Sequence, residues 1–159
     1  GPMINEGEAR RVERWVIEAV EKGANVLAGG SRDRALMQPT VLENVPKNAT
    51  IHHDEVFGPA VNLYAVDDLD QAIAEANSVD YGLHAAGFSR DAETCHRLIQ
   101  GLDAGSVLIN DSTDYRLDSM PFGGVKNSGL GREGIRFSLA EMTEPKVVCW
   151  YLPGLAETR

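Results

Sequence analysis

Cysteine is nearly missing from this chain: two residues in 159, Cys95 and Cys149, and neither belongs to a C-x-x-C pair. A disulfide framework is excluded, and both are expected to be reduced thiols. Basic residues are scarce beside acidic ones, 15 against 24 for a formal net charge of -9, and they form no stripe or cluster. Nucleic acid and anionic lipid are therefore not expected partners. Long apolar runs are missing too. The run at 147–152 falls far short of the ~20 residues needed to cross a bilayer, so no membrane partner is expected. The N-terminus enters a charged amphipathic stretch with no basic-then-apolar leader, and a cytoplasmic location is the expectation.

What is present is ordinary globular composition, 43% hydrophobic and 25% charged, at a length that fits one compact unit. Asn5 followed by Glu8 reads as a capping box, and Val12, Trp15, Val16, Ala19 and Val20 recur at helical spacing up to Gly23. Strands are expected at 25–28, 39–45, 60–66 and 83–88. A helix capped by Asp68, with Gln71 three positions on, carries the stripe Leu69, Ala72, Ile73 and Ala76. Asp91 caps a further helix at 92–100 that stops at Gly101, and 106–109 is a continuous apolar strand. Alternation of short strands with helices is the pattern of α/β folds built on a mostly parallel sheet. After Asn110 the pattern gives way to a long loop, 111–134, of the kind that carries function. A last strand is expected at 146–152, serving an edge or a partner.

Several stretches imitate chemistry. Gly129-Leu130-Gly131-Arg132-Glu133-Gly134 matches G-x-G-x-x-G, but no strand precedes it, so it reads as a tight turn opening a short helix. His52-His53-Asp54-Glu55 offers four ligand types in a row. In an extended segment neighbours point to opposite faces, and a solvated loop with one useful carboxylate is the better reading; no metal site is expected. Cys95 precedes His96 directly, yet adjacent helical residues do not face each other, so packing outweighs a thiolate pair. Cys149 lies in an apolar strand and is expected to be buried. Trp15 and Trp150 read as core or interface residues.

A set of turns remains that is too specific to be generic. Glu55-Val56-Phe57-Gly58-Pro59 is followed by Asn77-Ser78-Val79-Asp80-Tyr81-Gly82-Leu83, then Asn110. Last comes Met120-Pro121-Phe122-Gly123-Gly124-Val125-Lys126-Asn127-Ser128-Gly129-Leu130-Gly131-Arg132-Glu133. In this order the chain resembles the NAD(P)-dependent aldehyde dehydrogenase superfamily, from Gly1 to Leu152. The resemblance implies a three-layer α/β/α fold with a mostly parallel sheet: 1–144 as the C-terminal part of the catalytic domain, 145–159 as an oligomerisation strand and tail. It implies NAD or NADP as cofactor, with Glu55 on the nicotinamide ribose hydroxyls and Phe57 beside the nicotinamide. It also implies a substrate side formed by Asn110, which opens the loop, and Phe122, which lines the aldehyde tunnel. The alternative for Glu55, outweighed by the whole motif, is a surface acid; Phe122 could equally be only a loop anchor.

In the family a cysteine thiolate attacks the aldehyde, hydride passes to the dinucleotide, and a glutamate-activated water hydrolyses the thioester. The resemblance places that cysteine, that glutamate and the cofactor domain upstream of this chain. No catalytic residue is therefore assigned within it, and inactivity alone is expected. Gly1-Pro2-Met3 fits either the family's own sequence or a tag remnant. The loop 111–119 most resembles the branch acting on small polar aldehydes; Arg116 could pair with a distal anion, or form a salt bridge to Asp114 or Asp118. A homo-oligomer through the last strand is expected. Two other readings stay open: an interaction module that assembles with a full-length dehydrogenase, and an unrelated small enzyme using Cys95 with His96 or a metal at His52.

Overall fold

Helix α1 (Glu6–Glu21) starts where the Glu8 amide donates to Asn5 Oδ1 at 2.9 Å. Only this half of the predicted capping box forms, because the Glu8 carboxylate turns outward to Arg11 at 2.7 Å. The structure is a computed structural model that describes residues 2–151. Ala9, Val12, Val16 and Ala19 make the buried stripe of α1, Trp15 packs at its margin under the Arg11 guanidinium, and Val20, expected in the stripe, is exposed. The stripe closes over Met37, Leu42, Val45, Ala49 and Ile51, which form one apolar cluster.

The cluster rests on a three-stranded sheet. Strands β1 (Asn25–Ala28), β2 (Arg32–Asp33), β3 (Leu36–Met37) and β4 (Thr40–Glu43) precede the single turn of α2 (Thr50–His53) and strand β5 (Ala60–Leu63). β1 pairs antiparallel with β4 through a bulge between Val26 and Ala28, and β4 pairs parallel with β5 in the register Thr40 to Ala60. β2 and β3 form a small antiparallel hairpin. Helix α3 (Leu69–Ala76) begins at Asp68, which accepts from the Gln71 amide at 2.8 Å, while Gln71 Oε1 reaches back to the Asp67 amide at 2.7 Å. Then come β6 (Tyr81–Gly82), β7 (His84–Gly87), α4 (Ala92–Gly101) capped by Asp91, β8 (Ser106–Ile109), β9 (Val125–Lys126) and α5 (Ile135–Glu141). β7 and β8 pair in parallel from His84 with Ser106 to Gly87 with Ile109, and β6 pairs antiparallel with β9.

The fold is α/β, with two parallel pairs each reached through a crossover. Within the described residues those pairs belong to separate sheets, and β1 adds an antiparallel edge. Among the described residues the buried apolar side chains all lie between Ala9 and Ile51, so the described part of the second half is held by half-buried contacts and by backbone.

Two expectations are corrected. Residues 144–151 form no strand, and Leu152 lies outside the described residues. A strand needs a partner ladder for its N–H and C=O groups, and none of the described strands pairs with this segment. Val147, Val148, Trp150 and Tyr151 are consequently exposed, and so is Cys149, which was expected to be buried. The second correction is at His52. It sits on α2 rather than in an extended loop, and its side chain is 95% buried against Tyr64 and Glu75.

Candidate functional site

The segment after α2 is pinned from the inside. Arg11 Nη2 donates to the Val56 carbonyl at 2.7 Å, the Val56 side chain packs on the apolar cluster, and Gly58 lies so close to α1 that a Cβ there would meet Val12 at 2.8 Å. Glu55 and Phe57, on either side of Val56, therefore face outward. Phe57 is 74% exposed and takes a left-handed backbone, φ 46°, a conformation a bulky residue adopts only where its surroundings enforce it. Glu55 borders a cavity of about 260 Å³ shared with Tyr81, Gly82, Leu83, His84 and Ser128.

The floor of that cavity is made by three loops locked through backbone contacts. Lys126 donates to the Asn77 carbonyl at 2.8 Å and the Val79 carbonyl at 3.1 Å. Asn77 in turn donates to the Gly101 carbonyl at 2.6 Å and accepts from the Asp103 amide at 2.8 Å. The Gly82 amide donates to Ser128 Oγ at 2.9 Å. Glycine permits this closeness: a Cβ on Gly105 would fall 1.7 Å from the Gly123 carbonyl oxygen, and one on Gly82 would fall 2.3 Å from that of Asp103.

Phe122 borders a second cavity, about 470 Å³, with Gly124, Arg132 and Glu133, and the two cavities have Leu83 and Ser128 in common. Its backbone is fixed by paired hydrogen bonds with Glu133, at 3.0 and 2.6 Å. Arg116 lies over the Phe122 ring, with Cζ 3.8 Å from the centroid, and its Nη2 is 3.1 Å from Glu133 Oε2. The sequence offered Asp114 or Asp118 as salt-bridge partners; the loop instead folds back onto Glu133. This pair is exposed enough that its direct stabilisation is about 0–1 kcal/mol. Asn110 stands apart from both cavities. It takes φ 59° and ties the loop after β7 to β8, donating to the Ser89 carbonyl at 2.9 Å and accepting the Ser89 amide at 2.8 Å.

The sequence did not single out His84, Asn77, Lys126 and Ser128 individually, although all but His84 stand inside the quoted turns. Their contacts depend on register and loop packing, which no local pattern encodes. Outside the cavities the imitations resolve. Gly129, Gly131 and Gly134 all have positive φ, at 125°, 71° and 118°, and they shape a turn before α5; what precedes is the short antiparallel strand β9, not a βαβ crossover. Cys95 is half-buried with Sγ 3.7 Å from the Ser89 carbonyl. Among the described residues no three His, Cys, Asp or Glu side chains are grouped to hold a metal, and no helix is long and apolar enough to cross a membrane. Burial pushes the His52 imidazole below its ordinary value; His53 and Lys47 add to this and Glu75 opposes it.

With this geometry in place, residues 1–148 match the sequence profile of the aldehyde dehydrogenase family. The chain belongs to that family. It is 45% identical over 148 residues to the 3-sulfolactaldehyde dehydrogenase of Priestia megaterium, a match that takes in 93% of this chain and 31% of the relative. The crystal structure of aldehyde dehydrogenase 21 from Physcomitrella patens, in complex with succinate, superposes with TM-score 0.93 at 41% identity, over 98% of this chain and 32% of that one. Glyceraldehyde-3-phosphate dehydrogenase from Methanocaldococcus jannaschii, solved with NADP, gives TM-score 0.84 at 42% identity, over 89% and 31%. The chain spans 29% to 32% of the length of the curated relatives it matches.

Proposed function

We propose that residues 1–144 form one wall of the catalytic site of an NAD(P)-dependent aldehyde dehydrogenase, and that 145–159 are a subunit-joining segment that pairs as a strand only where a partner supplies the ladder. The observation that carries the reading is the adjacency of the two cavities. Glu55 borders one and Phe122 the other, and the cavities meet at Leu83 and Ser128. The residues fit the nicotinamide ribose end of a dinucleotide: an exposed carboxylate can accept from both hydroxyls of a diol, and the Phe57 ring offers an open face two positions along. When bound, the dinucleotide supplies the hydride acceptor for oxidation of an aldehyde to its acid.

This chain's own part is to bind, orient and exclude water. Phe122 supplies an apolar face toward the aldehyde, and Arg116, held above it, offers a guanidinium to a distal anion. Support for a short anionic aldehyde comes from the relatives: one is named for 3-sulfolactaldehyde, and another was solved with succinate. Asn110 acts by opening the substrate loop at a fixed angle. Neither Cys95 nor Cys149 borders either cavity, so we assign the thioester-forming cysteine and the general-base glutamate to sequence outside these residues, and read the 159-residue chain as inactive alone. We place the chain in the cytoplasm, a compartment that keeps thiols such as Cys95 and Cys149 reduced.

The test is reduced-nicotinamide formation by the purified chain with NAD or NADP and a panel of short aldehydes, with no turnover expected. Turnover that disappears on replacing Cys95 or Cys149 would overturn the assignment. A second reading, a non-catalytic module that assembles with a dehydrogenase, is favoured by the exposed Val147, Val148, Trp150 and Tyr151. Either reading predicts self-association of the isolated chain, and a clean monomer at high concentration in a sizing experiment would count against both.

A further inference from the structure

We propose that His84 is a positioning residue for the Phe122–Arg116 wall, gripping both ends of the loop that bears Arg116 from a single position on β7; this rests on the assignment of that wall to the aldehyde.

His84 opens β7, where pairing with Ser106 fixes its backbone. Its Nδ1 lies 2.8 Å from the Thr113 carbonyl oxygen. A carbonyl oxygen only accepts, so Nδ1 carries the hydrogen. Nε2 is then the bare nitrogen of the ring, and it is buried with no partner. A buried nitrogen without a donor is destabilising, so polar satisfaction alone does not explain histidine here. Phenylalanine would avoid that orphan, and asparagine would still donate to Thr113.

The second contact explains the ring. The imidazole and the Phe122 ring form a T-shaped pair, with centroids 5.1 Å apart and planes at 78°, the geometry that aromatic pairs prefer. Phe122 in turn lies under the Arg116 guanidinium. The imidazole combines the Nδ1 donor with the ring contact to Phe122, a pair of contacts that neither phenylalanine nor asparagine makes. Among the described residues, the backbone of 111–120 makes one hydrogen bond outside its own stretch, and that is Thr113 to His84. The loop is therefore held at Thr113 by a hydrogen bond and at Phe122 by an aromatic contact, with Arg116 between the two.

The experiment has a structural arm and a kinetic arm. In the 159-residue chain labelled with nitrogen-15 histidine, NMR at about pH 8 is expected to show His84 as the Nδ1–H tautomer, unlike a solvated histidine. His84→Phe keeps the ring contact but loses the donor, and should speed amide exchange across 111–120; His84→Asn keeps a donor at the Nδ1 position and should largely restore the slow exchange. The Nε2–H tautomer, or unchanged exchange in His84→Phe, overturns the proposal.

In the dehydrogenase subunit that carries this segment, both variants are expected to raise KM for a short anionic aldehyde. The rise should be roughly tenfold in His84→Phe, which loses the anchoring hydrogen bond, and smaller in His84→Asn, which loses only the aromatic contact, with kcat changed far less. A merely structural role would lower the active fraction and leave KM alone. Arg116→Ala and Phe122→Ala serve as the reference. If these raise KM and the His84 variants do not, the positioning role is wrong. If none of the four moves KM, it is the wall assignment itself that fails.

Discussion

Replacing Gly105 by alanine tests whether the substrate loop is placed by backbone packing. A Cβ at this position would lie 1.7 Å from the Gly123 carbonyl oxygen and 2.7 Å from its carbon, where ordinary contact begins at 3.4 Å. The obstacle is main chain, so no rotamer change relieves it, and the Gly123 peptide must retreat by more than an ångström. Alanine restricts the unfolded chain and would by itself stabilise by about 0.4–1 kcal/mol. Overpacking of this severity costs toward the upper end of the usual ~1–3 kcal/mol. The net expectation is a loss of about 2 kcal/mol, which for a chain of this size lowers Tm by about 4–8 °C. Thermal melts followed by circular dichroism read it directly.

Gly23→Ala is the control. Its φ of 114° strains an alanine, yet nothing lies within 4 Å of the added Cβ. That variant should lose about 1–2 kcal/mol through conformation alone and leave Phe122 where it is. Gly105→Ala should instead carry Phe122 with the displaced Gly123, and in the dehydrogenase subunit a 1 Å misplacement costs on the order of a hundredfold in rate. A Gly105→Ala chain that melts at or above the parent temperature would refute the reasoning.

Two further outcomes follow from the polar groups. The folded pKa of His52 is depressed below the ordinary 6.5, chiefly by burial, so the unfolded chain takes up this proton first. Its contribution to stability is complete above the unfolded value and is lost as pH falls below it. His52→Gln should flatten the drop in urea midpoint between about pH 7 and 5.5, and an unchanged drop would assign it to other groups. The carboxylates of Glu18, held low by Lys22 and Thr50, and of Asp91, held low by Thr94, add a loss only at lower pH, as it passes through the carboxylate range. Arg116→Gln should change stability by less than about 1 kcal/mol, since its ion pair is exposed. In the subunit it should weaken anionic aldehydes selectively, and equal loss on neutral aldehydes would remove Arg116 from substrate recognition.

Much of the fold was legible because its signals are local. Asn5, Asp68 and Asp91 each accept the amide three residues on, as their chemistry dictates, and the helices begin where the caps stand. The unread elements have no such signal. α2 starts at Ala49 with no side-chain cap, and the two-residue strands β6 and β9 exist only because loops distant in sequence meet. The expected strand at 146–152 shows the converse: β-forming residues are present, but pairing is a property of a partner. At the site, Glu55, Phe57 and Phe122 were readable as members of specific turns. The partner of Arg116 was not, because the pairing with Glu133 follows from how the loop folds back.

The uneven distribution of burial gives the last expectation. Among the described residues every buried apolar side chain lies between Ala9 and Ile51, so that region carries most of their hydrophobic stabilisation. The half that forms the cavity walls depends on hydrogen bonds such as those of Asn77 and Lys126 and on glycine close contacts. Exposed hydrogen bonds with little apolar cover open at low free energy. Amide exchange should therefore be slowest in α1 and β4, intermediate in β7 and β8, and fastest across 111–134. On the proposed reading, joining this segment to the rest of a dehydrogenase subunit should slow the last two groups far more than the first, because their faces are only half-buried. Uniform protection in the isolated chain would mean that the second half is stabilised by something other than the contacts described.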